Sequence, residues 1–311
     1  MVAGPLERRW TPFRVHGKRV FDLKLYAISD LHLDYKINRE ALIDIPDYSG
    51  DWLITGGDLC TSESHLRDCL EVLTQKFAKV FWVPGNHELW SSRAVEGGRE
   101  LIHGEDKYWQ LVDACRDYGV LTPEDPYAVW PGPEKCLIVP LFLLYDYGFR
   151  PKDVPQDEAV AWAMESGVLC SDEKLINPKP YDSLAAWCRA RLDYTRNRLE
   201  TLPAEYQWVV VNHFPLREDL IRLRRIPRFS IWCGTRETES WHERYPVKVV
   251  VSGHLHMRAT DYRAGVRFEE VSLGYPRDWD QSKGMAHYFR EILPGPARVP
   301  SGDEGPTWRF F

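Results

Sequence analysis

Five short apolar segments of this 311-residue chain each run directly into a polar residue that can bind a metal ion. The segments are rich in β-branched and aromatic residues and are too short to stand as independent helices, so they predict strands. Because they are apolar almost throughout, we expect strands that are covered on both faces. The five predicted strands are 23–29, 51–57, 79–85, 207–213 and 247–253. A sixth predicted strand, 136–142, has no such polar residue at its end.

Amphipathic patterns lie between the predicted strands. In 65–77 leucine and phenylalanine recur at helical spacing, and 107–118 has a similar pattern that stops at Gly119. A third helix is predicted over 183–201, with Asp182 or Ser183 as its N-cap. Strands that alternate with helices predict a layered α/β domain.

Two regions do not follow this alternation. Residues 143–183 mix aromatic residues with several prolines, and we interpret them as a surface insertion that could act as a lid; an ordinary long connection is the alternative. Residues 293–311 are rich in proline and glycine and predict an irregular C-terminal tail, which leaves 1–292 as the main domain.

Charge and composition limit the kind of protein. The net charge of −6 and the pI near 6.0 disfavour a protein whose main partner is nucleic acid. The seven cysteines are scattered and form no CxxC pair, so we expect reduced thiols in or near the core. The first ten residues lack the apolar core of a signal peptide and no run of about 18 apolar residues occurs, so we expect a cytoplasmic protein without a membrane span.

The polar residues at the five strand ends form one candidate metal site. In open α/β sheets the carboxyl ends of the strands share one edge, where ligands bind. Each motif taken alone is weak, because a single histidine is more often structural than a ligand. Together they make a strong signal for a shared site. Its candidate ligands are Asp30, His32, Asp58, Asn86, His213, His254 and His256.

The types of these side chains select the metal chemistry. Carboxylate, imidazole and amide oxygen without thiolate suit borderline divalent ions, with Mn and Fe favoured and Zn or Co as alternatives. Seven ligands exceed a single tetrahedral zinc site. They match two adjacent ions, which clamp a phosphoryl group and lower the pKa of a bridging water.

The motifs DLH (30), GGD (56), GNHE (85), VNHFP (211) and GHLH (253) resemble, in order, the five blocks of the calcineurin-like metallophosphoesterases. The resemblance implies a single domain folded as a four-layer α-β-β-α sandwich and a metal-dependent phosphoric diester hydrolase. It also implies how the ligands divide between two ions that share Asp58. One ion would be held by Asp30, His32, Asp58 and His256, and the other by Asp58, Asn86, His213 and His254.

The same resemblance implies a role for His87. A hydroxide that bridges the ions would attack phosphorus, and His87 would protonate the leaving oxygen. A supporting role beside the ligands is the alternative for His87. The chain departs from the protein phosphatases of this superfamily, whose GDxxDRG block supplies a carboxylate that orients the general acid. Here Asp58 is followed by Leu-Cys-Thr-Ser, which argues against a protein phosphatase.

A narrower resemblance points to the substrate. Segments 77–90, 139–149, 211–216, 229–235 and 265–279 are similar to those of bacterial phosphopantetheinyl hydrolases. Those enzymes remove the 4′-phosphopantetheine arm from holo acyl carrier protein, so an acyl carrier protein is the implied partner. Another phosphodiesterase, acting on cyclic nucleotides or nucleic acid, and a non-catalytic scaffold of the same fold stay open as alternatives.

An arginine run after His213 gives a physical hint in the same direction. Arg217 is followed by IRLRRIPR over 221–228, which would form a positive patch suited to an acidic carrier protein. A solvated charged surface is the alternative. Arg277 is a candidate for the substrate phosphate, because arginine binds phosphate in a bidentate manner. The candidate substrate-binding residues are therefore Arg217, Arg224, Arg225 and Arg277.

Overall fold

Two β-sheets form the centre of the fold in a computed structural model that describes residues 14–15, 18–19, 22–91 and 102–309. The strands are β1 (Arg14–Val15), β2 (Lys18–Arg19), β3 (Leu25–Ile28), β4 (Tyr48–Thr55), β5 (Phe77–Trp82), β6 (Ala128–Val129), β7 (Cys136–Pro140), β8 (Gln207–Val211), β9 (Val247–Ser252), β10 (Ala259–Arg263), β11 (Val266–Glu270), β12 (Arg290–Leu293) and β13 (Glu304–Trp308). One sheet has the order β12-β3-β4-β5 and the other β13-β10-β11-β9-β8-β7-β6, while β1 pairs with β2. All six predicted strands are present.

Helices fill the connections between these strands. They are α1 (Lys36–Ile43), α2 (Glu63–Lys76), α3 (Asn86–Leu89), α4 (Gly104–Asp117), α5 (Ala159–Met164), α6 (Asp172–Leu175), α7 (Leu184–Leu199) and α8 (Trp241–Arg244). Their starts follow local chemistry: the Ser183 hydroxyl accepts the Ala186 N–H at the N-cap of α7, which decides between the two predicted caps. The three predicted helices correspond to α2, α4 and α7.

Alternating side chains divide the interior into two kinds of core. Ala27 of β3, Ile54 of β4 and Val209 of β8 belong to a cluster that contains residues of both sheets and no helix residue. Their neighbours in sequence, such as Leu53 and Val210, belong to the larger cluster that includes α2, α4 and α7. Sheet therefore packs on sheet and helices cover the outer faces. This arrangement confirms the predicted four-layer α-β-β-α sandwich.

The carboxyl ends of the central strands meet at one edge. Strands β3, β4 and β5 run parallel, and so do β7, β8, β9 and β11. A bridge between Ser29 and Ser272, just beyond the ends of β3 and β11, joins the two sheets there. Residues that follow these strands are thus brought close together although they come from distant parts of the sequence.

The C-terminal region differs from the prediction of an irregular tail over 293–311. Residues Glu304–Trp308 form β13, which extends the larger sheet by pairing antiparallel with β10. Pro306 is tolerated because β13 is an edge strand, where a missing N–H costs little. Arg309 then reaches inward and donates to the buried carboxylate of Glu269 at 2.8 Å. The glycine and proline content concealed this strand from the sequence pattern.

The segment 143–183 reaches the interior as well as the surface. It carries α5 and α6, and Leu143, Tyr145 and Asp172 within it are buried. Its movement as a lid stays a prediction.

The seven cysteines all have buried, free thiols, as predicted. Across the described ranges, no helix has the length and apolar character that crossing a membrane requires. The N-terminal residues 1–10, in which no apolar leader is expected, lie outside the described residues.

Candidate active site

The loops after β3 and β9 bring together the first group of predicted ligands. Nε2 of His256 lies 3.2 Å from Oδ1 of Asp30, and Nε2 of His32 lies 3.1 Å from Nε2 of His256. The donor atoms of these three residues all lie within 4.8 Å of one another. The sheet edge has therefore collected one carboxylate and two imidazoles into a group able to hold a metal ion.

The loops after β4, β5, β8 and β9 supply a second group beside the first. Oδ2 of Asp58 lies 3.4 Å from Nε2 of His213, which in turn lies 3.2 Å from Oδ1 of Asn86. Asp58, His213 and His254 offer donor atoms within 4.8 Å of one another. Asp58 also forms such a group with His32 and His87. Its carboxylate consequently lies between the two groups, where a shared ligand would be needed.

Hydroxyl, carboxylate and carbonyl groups behind the predicted ligands fix their orientation. The hydroxyls of Ser29 and Ser272 donate to Oδ2 of Asp30 at 2.6 and 2.7 Å. Asp278 lies 3.2 Å from Nδ1 of His256, and the Gly56 carbonyl lies 2.8 Å from Nδ1 of His213. An acceptor at Nδ1 fixes the tautomer that leaves the Nε2 lone pair free for a metal.

Glu88 organises the loop that carries Asp58. This buried carboxylate accepts the backbone N–H groups of Asp58, Leu59 and Gly85 at 2.8–2.9 Å. Burial and the neighbouring Asp58 raise its pKa to about 8. The residue belongs to the GNHE block, but the sequence alone gave no reason to assign it a structural task.

Five of the seven predicted ligands have the left-handed backbone conformation, which L-residues rarely adopt. Their φ angles lie between 43° and 71°. Each such residue costs on the order of 1–3 kcal/mol and tends to occur where function requires it. These five are Asp30, His32, Asp58, His254 and His256.

Around Asp58 the electrostatics favour one charged imidazole. Burial opposes protonation of His213, but the Asp58 and Asp30 carboxylates outweigh it and raise the His213 pKa to about 10. Burial works against the ionised form of Asp58, yet His213 and His87 hold the pKa of this carboxyl well below its usual range. Burial and the charge of His213 lower the pKa of His254 to about 3.

The pattern repeats around Asp30. Burial opposes the protonated form of His256, but its contacts with Asp278 and Asp30 raise the His256 pKa to about 10. Burial lowers the pKa of His32 to about 4. Burial disfavours ionised Asp30, although His256 keeps the pKa of this carboxyl below its usual value. Each group thus holds one positively charged imidazolium beside an ionised carboxylate. A bound metal ion would supply the positive charge in its place.

One unpartnered nitrogen and several converging donor atoms show that the residues fit metal ions. Nε2 of His254 is buried and has no hydrogen-bond partner among the described residues. Nε2 of His32 and Nε2 of His256 lie 3.1 Å apart, so both nitrogens reach the same candidate metal position. Nitrogen and oxygen donors that converge in this way suit a pair of borderline divalent ions.

The predicted general acid faces the cleft beside the two groups. His87 stacks on Trp90 with ring centroids 3.7 Å apart, and its Nε2 lies 3.8 Å from Oδ2 of Asp58. Both rings line a cleft of about 390 Å³, together with Asn86, His254 and Tyr275. The imidazole is therefore next to the predicted bridging carboxylate and open to a substrate.

The four predicted substrate-binding arginines are not all brought to the cleft. Arg277 lines it, with a side chain that is 82% exposed. Arg224 and Arg225 are exposed at the rim, between Leu223 and Ile226, which line the cleft.

Arg217 does not belong to the lining, because Asp219 at 2.8 Å and the Glu239 carbonyl at 3.1 Å hold its guanidinium elsewhere. The predicted positive patch is also smaller than the sequence indicates. Arg222 forms a bidentate ion pair with Asp261, and Arg228 pairs with Glu165.

Asp172 is a site residue that the sequence pattern did not reveal. It lies at the start of α6 in the segment 143–183, fully buried, and accepts hydrogen bonds from Asn86 and Trp90. Its position among polar residues of an irregular segment gave no periodic or spacing signal that could have identified it.

Comparison with known proteins defines the class. The family model of the calcineurin-like phosphoesterases matches residues 23–258. The chain therefore belongs to the calcineurin-like phosphoesterase family, and the prediction of a metal-dependent phosphoric diester hydrolase is confirmed.

The chain is also similar to one particular relative in both sequence and structure. The chain is 44% identical over 281 residues to the [acyl-carrier-protein] phosphodiesterase PptH of Mycobacterium tuberculosis. The aligned region covers 89% of this chain and 85% of that protein. The crystal structure of phosphopantetheinyl hydrolase (PptH) from the same organism superposes with a TM-score of 0.83 at 43% identity, covering 90% of this chain and 99% of that one. These similarities confirm the narrower resemblance to bacterial phosphopantetheinyl hydrolases.

Proposed function

We propose that this chain removes the 4′-phosphopantetheine arm from holo acyl carrier protein by hydrolysing the phosphodiester that joins the arm to a serine oxygen. The observation that carries the proposal is the convergence of the seven predicted metal ligands, four of which line a cleft with cations and apolar side chains at its rim. The 44% identity to a protein named as an acyl-carrier-protein phosphodiesterase supports the choice of substrate.

Two divalent ions complete the proposed site, with Mn and Fe favoured over Zn or Co. They would polarise the phosphoryl oxygens and lower the pKa of a water between them toward neutrality. Asp58 would serve both ions. The ligands are Asp30, His32, Asp58 and His256 for one ion and Asp58, Asn86, His213 and His254 for the other.

His87 supplies the proton in this proposal. As the bond between phosphorus and the serine oxygen breaks, a serine alkoxide would be a poor leaving group, so protonation by a nearby imidazole lowers the barrier. His87 is suited to this role because its ring lines the cleft and stacks on Trp90. Arg277 lines the same cleft with a side chain that is 82% exposed, and in this proposal it contacts the phosphate or the arm beyond it.

The rim of the cleft suits a folded acidic protein. Arg224 and Arg225 are exposed, and within the described ranges neither has an acidic side chain at ion-pair distance. Beside them Ile226 is 43% exposed, and Leu169, which also lines the cleft, is 59% exposed. Cations steer and orient an acidic partner, and apolar side chains supply contact area that excludes water.

The test uses holo acyl carrier protein, Mn²⁺ and purified protein, with the intact mass of the carrier as the measurement. We expect loss of the mass of the arm, and no loss with the Asp58→Asn variant. If the arm stays attached while bis(p-nitrophenyl) phosphate is hydrolysed, the proposed substrate is wrong although the enzyme class stands. Competition by DNA with strong salt dependence would instead favour a nucleic-acid substrate.

A cytoplasmic location, the domain limits 1–292 and lid motion of 143–183 remain predictions of the sequence. Of these, lid motion bears on the reaction, because the segment contributes Leu169 to the rim of the cleft.

A further inference from the structure

Asp172 connects the segment 143–183 to two residues of the catalytic centre. Its side chain is fully buried, and its Oδ1 accepts from Nδ2 of Asn86 at 3.0 Å and from Nε1 of Trp90 at 2.7 Å. Its Oδ2 accepts from the Tyr145 hydroxyl at 3.2 Å. A carboxylate only accepts, so all three donors are compatible with one ionised Asp172.

The contact with Asn86 decides which way its amide faces. An asparagine side chain presents a donor on one side and an acceptor on the other. Because Asp172 takes the amino group, the carbonyl oxygen must face His213 Nε2, at 3.2 Å, and the proposed metal position. Only this orientation offers an oxygen ligand, since a rotated amide would present N–H groups to a cation.

The contact with Trp90 acts on the predicted acid. The indole can donate only through Nε1, and this atom is held by Asp172. The indole ring then stacks on His87 at 3.7 Å with an interplanar angle of 30°. The block that follows Asp58 here lacks the carboxylate that orients the acid in the related phosphatases, and a fixed Trp90 gives His87 an alternative support.

We propose that Asp172 is a positioning residue that orients Asn86 as an oxygen ligand and, through Trp90, holds the ring of His87 toward the cleft. The proposal rests on the metal centre proposed above. It gives the segment 143–183 a role in assembling the catalytic centre, beyond covering it. Within the described ranges this buried carboxylate has three polar donors and no cation among its hydrogen-bond partners. Such a group is costly as a mere packing element, which is consistent with a functional task.

The Asp172→Leu variant tests the first connection. Leucine keeps the branched shape of the side chain but cannot accept from Asn86, Trp90 or Tyr145, so the Asn86 amide loses the partner that fixes its orientation. We expect one of two Mn²⁺ sites to weaken by about 10–100-fold, as is typical when a group that supports a ligand is changed. Electron paramagnetic resonance of free Mn²⁺ during titration measures both dissociation constants without reference to any substrate.

The Trp90→Phe variant separates the second connection from the first. It keeps an aromatic ring against His87 but removes the donor to Asp172. We expect both Mn²⁺ affinities to be kept, while kcat for a serine-linked phosphodiester falls on the order of tenfold, a part of what a general acid contributes. Tyr145→Phe is the matched control, because it removes a donor to the same carboxylate on the side away from Asn86, and it should leave both quantities nearly unchanged.

The outcomes are distinct. Wild-type affinity at both sites in Asp172→Leu would overturn the proposal. Equal loss of both sites together with a lowered melting temperature would also overturn it, since that indicates a structural role. If the unmodified chain does not bind two Mn²⁺ ions, the proposed metal centre fails first and the proposal falls with it.

Discussion

Gly85 places the peptide backbone against Asp58 so closely that a single added methyl group should disable the site. A Cβ atom at this position would lie 2.1 Å from Oδ1 of Asp58 and 2.6 Å from the Asp58 backbone nitrogen. Gly85 has φ −95° and ψ −171°, an extended conformation that alanine adopts without strain. The effect of Gly85→Ala is therefore purely steric.

The size of the effect follows from that contact. Contacts of Cβ below 3.0 Å are essentially not observed, so the Asp58 carboxylate has to move by about 0.9 Å or more. The same oxygen accepts the backbone N–H of His87 at 2.9 Å, which the shift would break. A displacement of about 1 Å in a catalytic site costs roughly 10²-fold in rate, equivalent to about 2.7 kcal/mol of transition-state stabilisation.

The assay combines kcat/KM for bis(p-nitrophenyl) phosphate at saturating Mn²⁺ with metal content by elemental analysis. Gly302→Ala is the matched control, because a Cβ there meets nothing within 4 Å among the described residues. Thermal unfolding shows whether Gly85→Ala stays folded. Asp58→Asn, which removes a charge without adding a heavy atom, gives the comparison for a lost ligand. A folded Gly85→Ala protein with unchanged metal content and activity would refute the assignment of Asp58 as the shared ligand.

Three further predictions concern proton transfer, docking and metal loading. His87→Asn should lower kcat for a serine-linked phosphodiester by about 10²–10⁴-fold but much less for a p-nitrophenyl diester, whose leaving group needs no proton. Equal losses of kcat for the two substrates in steady-state kinetics would exclude the acid role. The double variant Arg224→Glu, Arg225→Glu should raise KM for acyl carrier protein and alter the salt dependence of that KM, while kcat/KM for bis(p-nitrophenyl) phosphate stays unchanged. An unchanged KM for acyl carrier protein would contradict the docking role. Mn²⁺ binding at neutral pH should release protons and should tighten as pH rises toward 10, because the pKa of His213 and of His256 is about 10 and imidazole binds metal only when neutral. Calorimetric binding heats that do not vary with the ionisation enthalpy of the buffer would contradict this proton release.

The strand ends could be predicted from sequence because each depends on a local signal. Apolar runs of seven residues each indicated β3, β4, β5, β8 and β9 without reference to any distant residue. The general property of parallel strands, that their carboxyl ends share an edge, then placed Asp58 near His213 across more than 150 residues. No pairing information was needed for that step.

The supporting residues could not be predicted because they depend on contacts between distant segments. Asp172 meets Asn86 across 86 residues, and Asp278 meets His256 from a loop that has no periodic pattern. The same limitation explains Arg217. Its position after His213 suggested a substrate contact, but the nearby Asp219 binds its guanidinium and holds it away from the cleft lining.

Backbone strain gives an argument for the metal centre that does not depend on the sequence motifs. Asp30, Asp58 and three of the histidines have positive φ angles, at a total cost on the order of 5–15 kcal/mol by the usual range for each residue. Glycine would adopt these angles without that cost. Packing alone does not account for the choice, because Nε2 of His254 is buried without a hydrogen-bond partner among the described residues. A chain that keeps ionisable side chains at five strained positions must gain more from those side chains than it loses in the backbone, and ions bound at both groups would supply that gain through charge neutralisation and ligand bonds.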